Sequence, residues 1–248
     1  MIDFLSECFV INVEGLDVSG KETFCSNLKK FLDERKEMFV RECEVIVQDA
    51  PDYEEDVTKN FIKPILMTPL DTRNTDALDM AFALDRAYST MRLQKRIYEN
   101  ATSGIKTIVI LDRYYLSNLI YSIGADVHSG KLDLDSVNFE DLDSLNALKL
   151  AKTESKRLLR PDILVMFKRG SEASIELHNS LIAEKPNKDL NETVAFQETL
   201  NTVMDKIMVS LPKLMPATLI KRVDIGSNFD NQDLERSILD NMINIYGN

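Results

Sequence analysis

The sequence predicts an α/β fold, a doubly wound parallel sheet of about five strands that is flanked by helices and carries a short lid. Short apolar, β-branched runs recur along the chain, and amphipathic helical stretches separate them. The runs are apolar at consecutive positions, as in parallel strands that helices cover on both faces. A glycine-rich turn joins the first run to the first helix.

Five runs are expected to form the strands. They are CFVINVE (8–14), EVIVQ (44–48), TIVILD (107–112), DILVMF (162–167) and TLIKRVDI (218–225). Because helical stretches alternate with these runs, we expect successive strands to lie parallel, joined by helical crossovers.

Apolar stripes at helical spacing predict the helices. They are expected over about 21–35, 75–100, 114–123, 136–159, 172–183, 192–210 and 230–246. Residues 49–74 and the polar stretch EKPNKDLN (184–191) have the composition of surface loops. The second of these loops lies within a predicted lid at 171–194.

Length and charge limit the possible functions. The chain has 248 residues, which suits a single domain over 1–248. It carries 30 Lys and Arg against 41 Asp and Glu, a net charge of −11, which argues against binding to nucleic acid or to an anionic membrane. No apolar run approaches the ~20 residues that cross a bilayer. The three scattered cysteines favour a reducing compartment, so we expect a cytoplasmic protein.

The segment VEGLDVSGKET (13–23) has the spacing of a phosphate-binding loop, because four residues separate Gly15 from Gly20 and Lys21 follows. Such glycines let backbone N–H groups turn towards phosphate oxygens, and the helix N-terminus adds positive charge. Glu22 stands where Ser or Thr usually holds Mg²⁺, and a carboxylate is also a hard ligand for this ion. The expected nucleotide contacts are Gly15, Val18, Ser19, Gly20, Lys21, Glu22 and Thr23.

Seven sequence blocks in order resemble the thymidylate kinase family. They are GLDVSGKET (15–23), PDYE (51–54), FALDR (82–86), DRYYLSNLIYS (112–122), RPD (160–162), AFQE (195–198) and VDIG (223–226). The resemblance implies a P-loop NTPase-type fold and in-line transfer of the γ-phosphoryl group of ATP to dTMP with Mg²⁺. Such a reaction depends on positioning and on neutralisation of charge.

The resemblance also implies roles for individual residues. Lys21, Asp17 and Arg113 would be catalytic, Asp112 and Glu22 would bind the metal, and Lys185 in the lid would reach ATP. Arg86 and Arg113 would bind the acceptor phosphate. The remaining acceptor contacts would come from Asp17, Phe82, Ser117, Asn118 and Tyr121. Arg113, Ser117 and Tyr121 recur every four residues, so they share one helix face.

The sequence departs from the family pattern where a transition-state arginine is expected. The loop residues LDVS (16–19) contain none, and the lid offers only Lys185 and Lys188. A lysine supplies a point charge without bidentate geometry. Two alternatives therefore remain open: a kinase for dUMP or a modified pyrimidine monophosphate, and a nucleotide-binding protein with weak catalysis.

The resemblance further implies a homodimer. The long helix at 75–100 offers Leu84, Ala87, Met91 and Ile97 for such a contact, although the same residues could instead face the sheet.

Overall fold

The computed structural model describes residues 7–17, 19–39, 41–51, 58–69, 71–168, 193–224 and 231–246, together with positions 56, 176, 180 and 184. Its strands form one parallel sheet in the order β2-β3-β1-β4-β5. The strands are β1 (Cys8–Gly15), β2 (Cys43–Asp49), β3 (Lys106–Asp112), β4 (Ile163–Lys168) and β5 (Leu219–Asp224). All five expected strands are confirmed, with bounds shifted by one residue or less at most ends.

The helices follow the strands in sequence. They are α1 (Lys21–Asp33), α2 (Lys63–Leu66), α3 (Thr75–Thr102), α4 (Tyr115–His128), α5 (Asn146–Arg157), α6 (Val194–Ile207), α7 (Leu211–Leu214) and α8 (Asn231–Tyr246). Asn74 caps α3 by accepting a hydrogen bond from the Ala77 N–H at 3.0 Å. None of the helices in the described part of the chain is long and apolar enough to span a membrane.

Two hydrophobic layers cover the two faces of the sheet. Phe9, Ile11 and Val13 of β1 pack with Phe24 and Leu28 of α1, on the face that α8 also covers. The opposite face packs against α3, α4, α5, α6 and α7. Because successive side chains of a strand point to opposite faces, a strand covered on both sides must be apolar throughout, which explains why these runs lack alternation.

The chain leaves two neighbouring strands towards opposite faces of the sheet. β1 continues into α1 on one face, and β3, paired beside it with Val13 opposite Asp112, continues into α4 on the other. A crevice opens between such diverging connections at the carboxyl ends of the strands, where open α/β sheets bind their ligands. The phosphate loop and the Arg113 region both follow the carboxyl ends of these two strands.

Two helices differ from their expected bounds. The helix expected over 136–159 begins only at Asn146, because Asx turns at Asp133, Asn138 and Asp141 bind backbone N–H groups two residues ahead. Conversely, α4 extends beyond 123 to His128. Within the stretch expected to be irregular, a π-helical turn (Thr58–Ile62) precedes α2. The helix expected over 172–183 and nearly all of the lid lie outside the described residues.

Candidate active site

The phosphate loop begins where β1 ends, and each of its two glycines is required for a different physical reason. A Cβ atom on Gly15 would lie 2.7 Å from Ser19 Oγ and 2.9 Å from Phe167 Cβ, so no larger residue fits. Gly20 has φ +85°, a left-handed conformation that L side chains rarely adopt, and it is the N-cap of α1. Val18 lies outside the described residues.

Lys21 is buried at the first position of α1, beneath the loop. Its ammonium group donates a hydrogen bond to the Leu16 carbonyl at 3.3 Å. Burial, helped by the nearby charge of Arg113, lowers the pKa of Lys21 to about 8, although Asp17, Asp112 and Glu14 act in the opposite direction. A cation held in this way gains strongly from an arriving phosphate anion.

Asp112 closes β3 directly beside the loop. Burial raises the pKa of its carboxyl group, which Lys21 and Arg113 oppose and Asp49 and Glu22 reinforce. Its Oδ1 atom, like Ser19 Oγ, is buried without a hydrogen bond to any described group. A carboxylate oxygen left in this state suits a hard cation such as Mg²⁺.

The described residues contain no cluster of three or more His, Cys, Asp and Glu side chains that could hold a metal. This is compatible with Mg²⁺, which commonly takes one or two carboxylates and completes its shell with phosphate oxygens and water. Glu22, the other expected ligand, is exposed on the first turn of α1, as is Thr23.

Arg113 adopts an unusual backbone conformation between β3 and α4. Its φ is +66°, and it is the only non-glycine residue with positive φ among those described. Its N–H donates to the Val13 carbonyl at 2.9 Å, which ties the turn to β1. Its guanidinium group forms an ion pair with Asp17 and donates to the Gly15 carbonyl at 3.3 Å, so it faces the phosphate loop.

Asp17 joins three elements. Besides Arg113, it accepts hydrogen bonds from the Tyr121 hydroxyl at 2.9 Å and from Gln197 Nε2 at 3.3 Å. Tyr121 belongs to α4 and Gln197 to α6, so the Arg113 turn, α4 and α6 all meet at a single carboxylate of the loop. Gln197 is absent from the expected site residues, although it lies within the AFQE block that carried part of the resemblance.

Glu14, also absent from the expected site residues, lies fully buried at the end of β1. Its Oε1 accepts from Asn12 Nδ2 at 3.1 Å and from the Tyr114 N–H at 2.9 Å, while Oε2 accepts from the Ser117 hydroxyl at 2.5 Å. Burial raises the pKa of this carboxyl group, against the effect of these hydrogen bonds and of Arg113. A carboxylate in a strand that is otherwise almost entirely apolar is a signal that sequence reasoning could have used.

Arg86 is the expected site residue whose surroundings differ most from expectation. It is buried on α3, and its Nε and Nη2 atoms donate to both carboxylate oxygens of Glu154 on α5, at 2.8 and 2.9 Å. These two hydrogen bonds join two helices, and the structure does not bring Arg86 into the cluster around Asp17. Phe82 lies half-buried one turn earlier on α3.

Ser117 and Asn118 are both buried on α4. The Ser117 hydroxyl is already bound to Glu14 and lies 3.4 Å from Arg113 Nη1, so it supports the arginine. Lys185 lies outside the described residues.

The chain is similar to several known proteins. A thymidylate kinase of Leptospira borgpetersenii serovar Hardjo-bovis (strain L550) is 27% identical over 195 residues, which cover 79% of this chain and 78% of that protein. A probable thymidylate kinase 1 of Saccharolobus solfataricus is 32% identical over 121 residues, 47% of this chain and 53% of that protein. A solved thymidylate kinase from Candida albicans has the same fold, with a TM-score of 0.62 and 18% identity over 95% of this chain and 91% of that one.

A family model described as thymidylate kinase matches residues 13–138, just over half of the 248 residues. The match runs from the phosphate loop through the Arg113 turn and α4. The chain therefore belongs to the thymidylate kinase family.

Proposed function

We propose that this protein transfers the γ-phosphoryl group of ATP in line to dTMP, yielding ADP and dTDP. One observation carries the proposal: the phosphate loop and the Arg113 turn end neighbouring strands, and the Asp17–Arg113 ion pair joins them. Two anion-binding elements that face each other across one crevice suit a reaction between two phosphorylated substrates.

On the donor side, the proposal assigns the triphosphate to the backbone between Gly15 and Lys21. Lys21 would neutralise charge on the transferring group, which spreads over three oxygens in a loose transition state. Asp112 would bind Mg²⁺, with Glu22 on the first turn of α1 as the second proposed ligand, and the ion would neutralise phosphate charge when bound.

On the acceptor side, Arg113 would bind the dTMP phosphate. Its planar guanidinium group can donate two parallel hydrogen bonds to a phosphate, which a lysine cannot do. The phosphate dianion would compete with Asp17 for this group, leaving Asp17 and Tyr121 to contact the sugar. Phe82, Arg86, Ser117 and Asn118 are proposed to line the base pocket, although the ion pair with Glu154 leaves only part of the Arg86 guanidinium available.

An assay coupled to ADP release tests the function with ATP, Mg²⁺ and dTMP. We expect turnover with dTMP and slower turnover with dUMP or dCMP. A panel of monophosphates that are all inert, although ATP binds in a titration, would favour the alternative of a nucleotide-binding protein. If a modified pyrimidine monophosphate were turned over much faster than dTMP, the acceptor would need revision while the reaction class would remain.

The role of Arg113 has its own test. Removing one preorganised contact of this kind typically costs about 10²-fold or more, so Arg113→Ala is expected to lower kcat/KM for dTMP by at least that factor. The KM for ATP should change less than kcat/KM for dTMP, because the proposal assigns the triphosphate to the backbone between Gly15 and Lys21, even though Arg113 also contacts the Gly15 carbonyl and Asp17. Arg96→Ala is a suitable control, since Arg96 forms an exposed ion pair with Glu44 on another surface.

We also propose a homodimer that forms through α3. Its exposed face carries a stripe of large apolar side chains, between 46% and 71% exposed, at Met80, Leu84, Tyr88, Met91 and Tyr98. Two of the four residues that the sequence suggested, Leu84 and Met91, belong to this stripe. Ile97 is instead fully buried against the sheet, and Ala87 is half-buried. Exposed apolar patches of this kind often mark interaction sites.

The domain boundary and the location are proposals as well. We propose a single P-loop kinase domain over 1–248, because helices from both ends of the described chain pack on one sheet. We propose a cytoplasmic location, since Cys8, Cys25 and Cys43 are free buried thiols and ATP is a cytoplasmic substrate.

A further inference from the structure

Glu14 is a carboxylate with no contact to solvent, placed at the end of the central strand. Burying such a group is costly unless hydrogen bonds compensate it. Three donors surround it, namely the Asn12 side-chain amide, the Tyr114 backbone N–H and the Ser117 hydroxyl, at 3.1, 2.9 and 2.5 Å. The two carboxylate oxygens therefore act as acceptors for three separate groups.

Two of these three donors flank Arg113. Tyr114 follows it directly, and Ser117 lies one helical turn later on α4. Arg113 has φ +66°, which a side-chain-bearing residue adopts only when its surroundings hold it there. Its own N–H binds the Val13 carbonyl at 2.9 Å. Both successive N–H groups of the turn are thus bound to β1, one by backbone and one by Glu14.

The Ser117 hydroxyl extends this support to the guanidinium group. Bound to Glu14, it lies 3.4 Å from Arg113 Nη1, whose other neighbour is the Gly15 carbonyl. Glu14 therefore holds the residue that follows Arg113 through the Tyr114 N–H, and it reaches the Arg113 side chain through Ser117.

We propose that Glu14 is a positioning residue for phosphoryl transfer, which holds Arg113 in the conformation that presents its guanidinium group to the acceptor phosphate. The inference rests on the proposed function, because it assigns a purpose to the geometry of Arg113. Glu14 itself does not touch either substrate. Reacting groups lose rate steeply when they are displaced by an ångström, so such a residue acts on catalysis through another side chain.

The experiment compares Glu14→Gln and Glu14→Ala with the native protein, measuring kinetics separately for each substrate. In Glu14→Gln the amide oxygen can still accept from Asn12 and Tyr114, while the NH2 group meets the Ser117 hydroxyl, which must turn to accept. In Glu14→Ala all three donors lose their acceptor. We expect kcat/KM for dTMP to fall about 10²-fold in Glu14→Ala and about tenfold in Glu14→Gln.

The KM for ATP separates positioning from a general loss of structure. Measured at about pH 7, where Lys21 keeps its charge, it is expected to change by less than about threefold in the folded variants, because residues 15–21 of the phosphate loop are unchanged. Asp162→Asn is the matched control. The Asp162 carboxylate accepts a hydrogen bond from the Val10 N–H of β1 at 2.8 Å, so this change weakens a hydrogen bond to the same strand, towards its other end. It should lower the melting temperature without changing either kinetic constant.

The outcomes separate the two proposals. A native protein that does not phosphorylate dTMP defeats the proposed function. A native protein that does, combined with a folded Glu14→Gln variant whose kcat/KM for dTMP stays within about twofold, defeats the positioning role alone. An equal rise of the KM for both substrates would also defeat it. If Glu14→Ala fails to fold, Glu14→Gln still decides the question.

Discussion

Lys21 carries its charge in a place that solvent scarcely reaches, and its partners there are three carboxylates and one guanidinium group. Among the described residues its hydrogen-bond partner is the Leu16 carbonyl oxygen, at 3.3 Å. Such a lysine is poised to bind an anion, because its existing hydrogen bond is long and its desolvation has already occurred on folding.

The first prediction is that Lys21→Ala lowers kcat by at least about 10²-fold, because a preorganised charge that neutralises the transferring phosphoryl group is lost. Initial rates with saturating ATP and dTMP measure it. Lys29→Ala is the matched control on the same helix, since Lys29 pairs with Asp33 on the surface. A Lys21→Ala enzyme within about tenfold of the native rate would contradict the assignment.

The second prediction concerns pH. Burial lowers the pKa of Lys21 from 10.5 to about 8, so the nucleotide-free enzyme loses this charge as pH rises through 8. We expect kcat/KM for ATP, which reports the free enzyme, to fall above that pH. The value of kcat should stay constant up to a higher pH, because bound phosphates raise the pKa of the Lys21 ammonium group again.

Initial rates between about pH 7 and pH 10 at varied ATP check this expectation. If Lys21→Arg retains activity, its profile should stay flat over the same range, since a guanidinium group does not titrate there. A native kcat/KM for ATP that is constant up to about pH 10 would show that another group holds the donor phosphates.

At the level of single residues, the sequence predicted the shape of the phosphate loop, because that shape depends on residues that are neighbours in the chain. Gly15, Gly20 and Lys21 lie close together in the chain, and their geometry follows from their spacing. It could not predict that Arg86 pairs with Glu154, because that bond joins residues 68 positions apart. Gln197 was missed for the same reason, since its link to Asp17 spans 180 positions.

Among the helices, α3 and α5 are joined by an ion pair inside the protein. Arg86 and Glu154 are both almost fully buried, and two parallel hydrogen bonds connect them. The attraction between two buried charges offsets a large desolvation cost, so the pair contributes little net stability compared with apolar residues. Removal of one partner alone leaves a buried charge without compensation.

The third prediction is therefore that Glu154→Ala lowers the free energy of unfolding by about 3–5 kcal/mol. Urea denaturation followed by circular dichroism measures it. The double variant Arg86→Met with Glu154→Leu should recover most of this loss. Asp143→Ala, which removes the exposed pair with Lys152, is the control and should have little effect. A loss of stability in Asp143→Ala as large as that in Glu154→Ala would contradict the importance of burial for this ion pair.

The helices also show why element bounds were predicted unevenly. The strand bounds followed from apolar runs whose ends are marked by charged or turn-forming residues. The leucine spacing at 142, 145 and 148 fits a helix, yet α5 starts only at 146, because Asn and Asp side chains upstream bind the backbone in turns. The spacing of apolar residues indicates which residues face the core. The residue at which the helix begins depends on local hydrogen bonds from side chains to the backbone.

For the whole molecule, the alternation of strands and helices predicted the fold class, but it did not determine the strand order. The order β2-β3-β1-β4-β5 depends on which edge each crossover reaches, and several orders satisfy the same alternation. That order puts β1 beside β3 and so brings Asp17 to Arg113. The resemblance to a kinase family reduces the number of possible strand orders, because it implies one type of fold.

The last prediction concerns association of two copies. The stripe on α3 runs along one side of a 28-residue helix, so it can pair with the same stripe of a second copy about a two-fold axis. Each copy carries a net charge of −11, so long-range repulsion opposes association and the contact must depend on apolar burial. A lysine at the centre of the stripe would then place two like charges in the contact.

We expect the native protein to sediment at twice 28.3 kDa, and Met91→Lys to shift it towards the mass of one chain. Sedimentation equilibrium at several concentrations measures both. Val209→Lys is the control, because Val209 is a similarly exposed apolar residue that follows α6, away from the stripe. A native protein that stays at 28.3 kDa at micromolar concentrations would contradict the dimer, and loss of association in Val209→Lys alone would move the interface to α6.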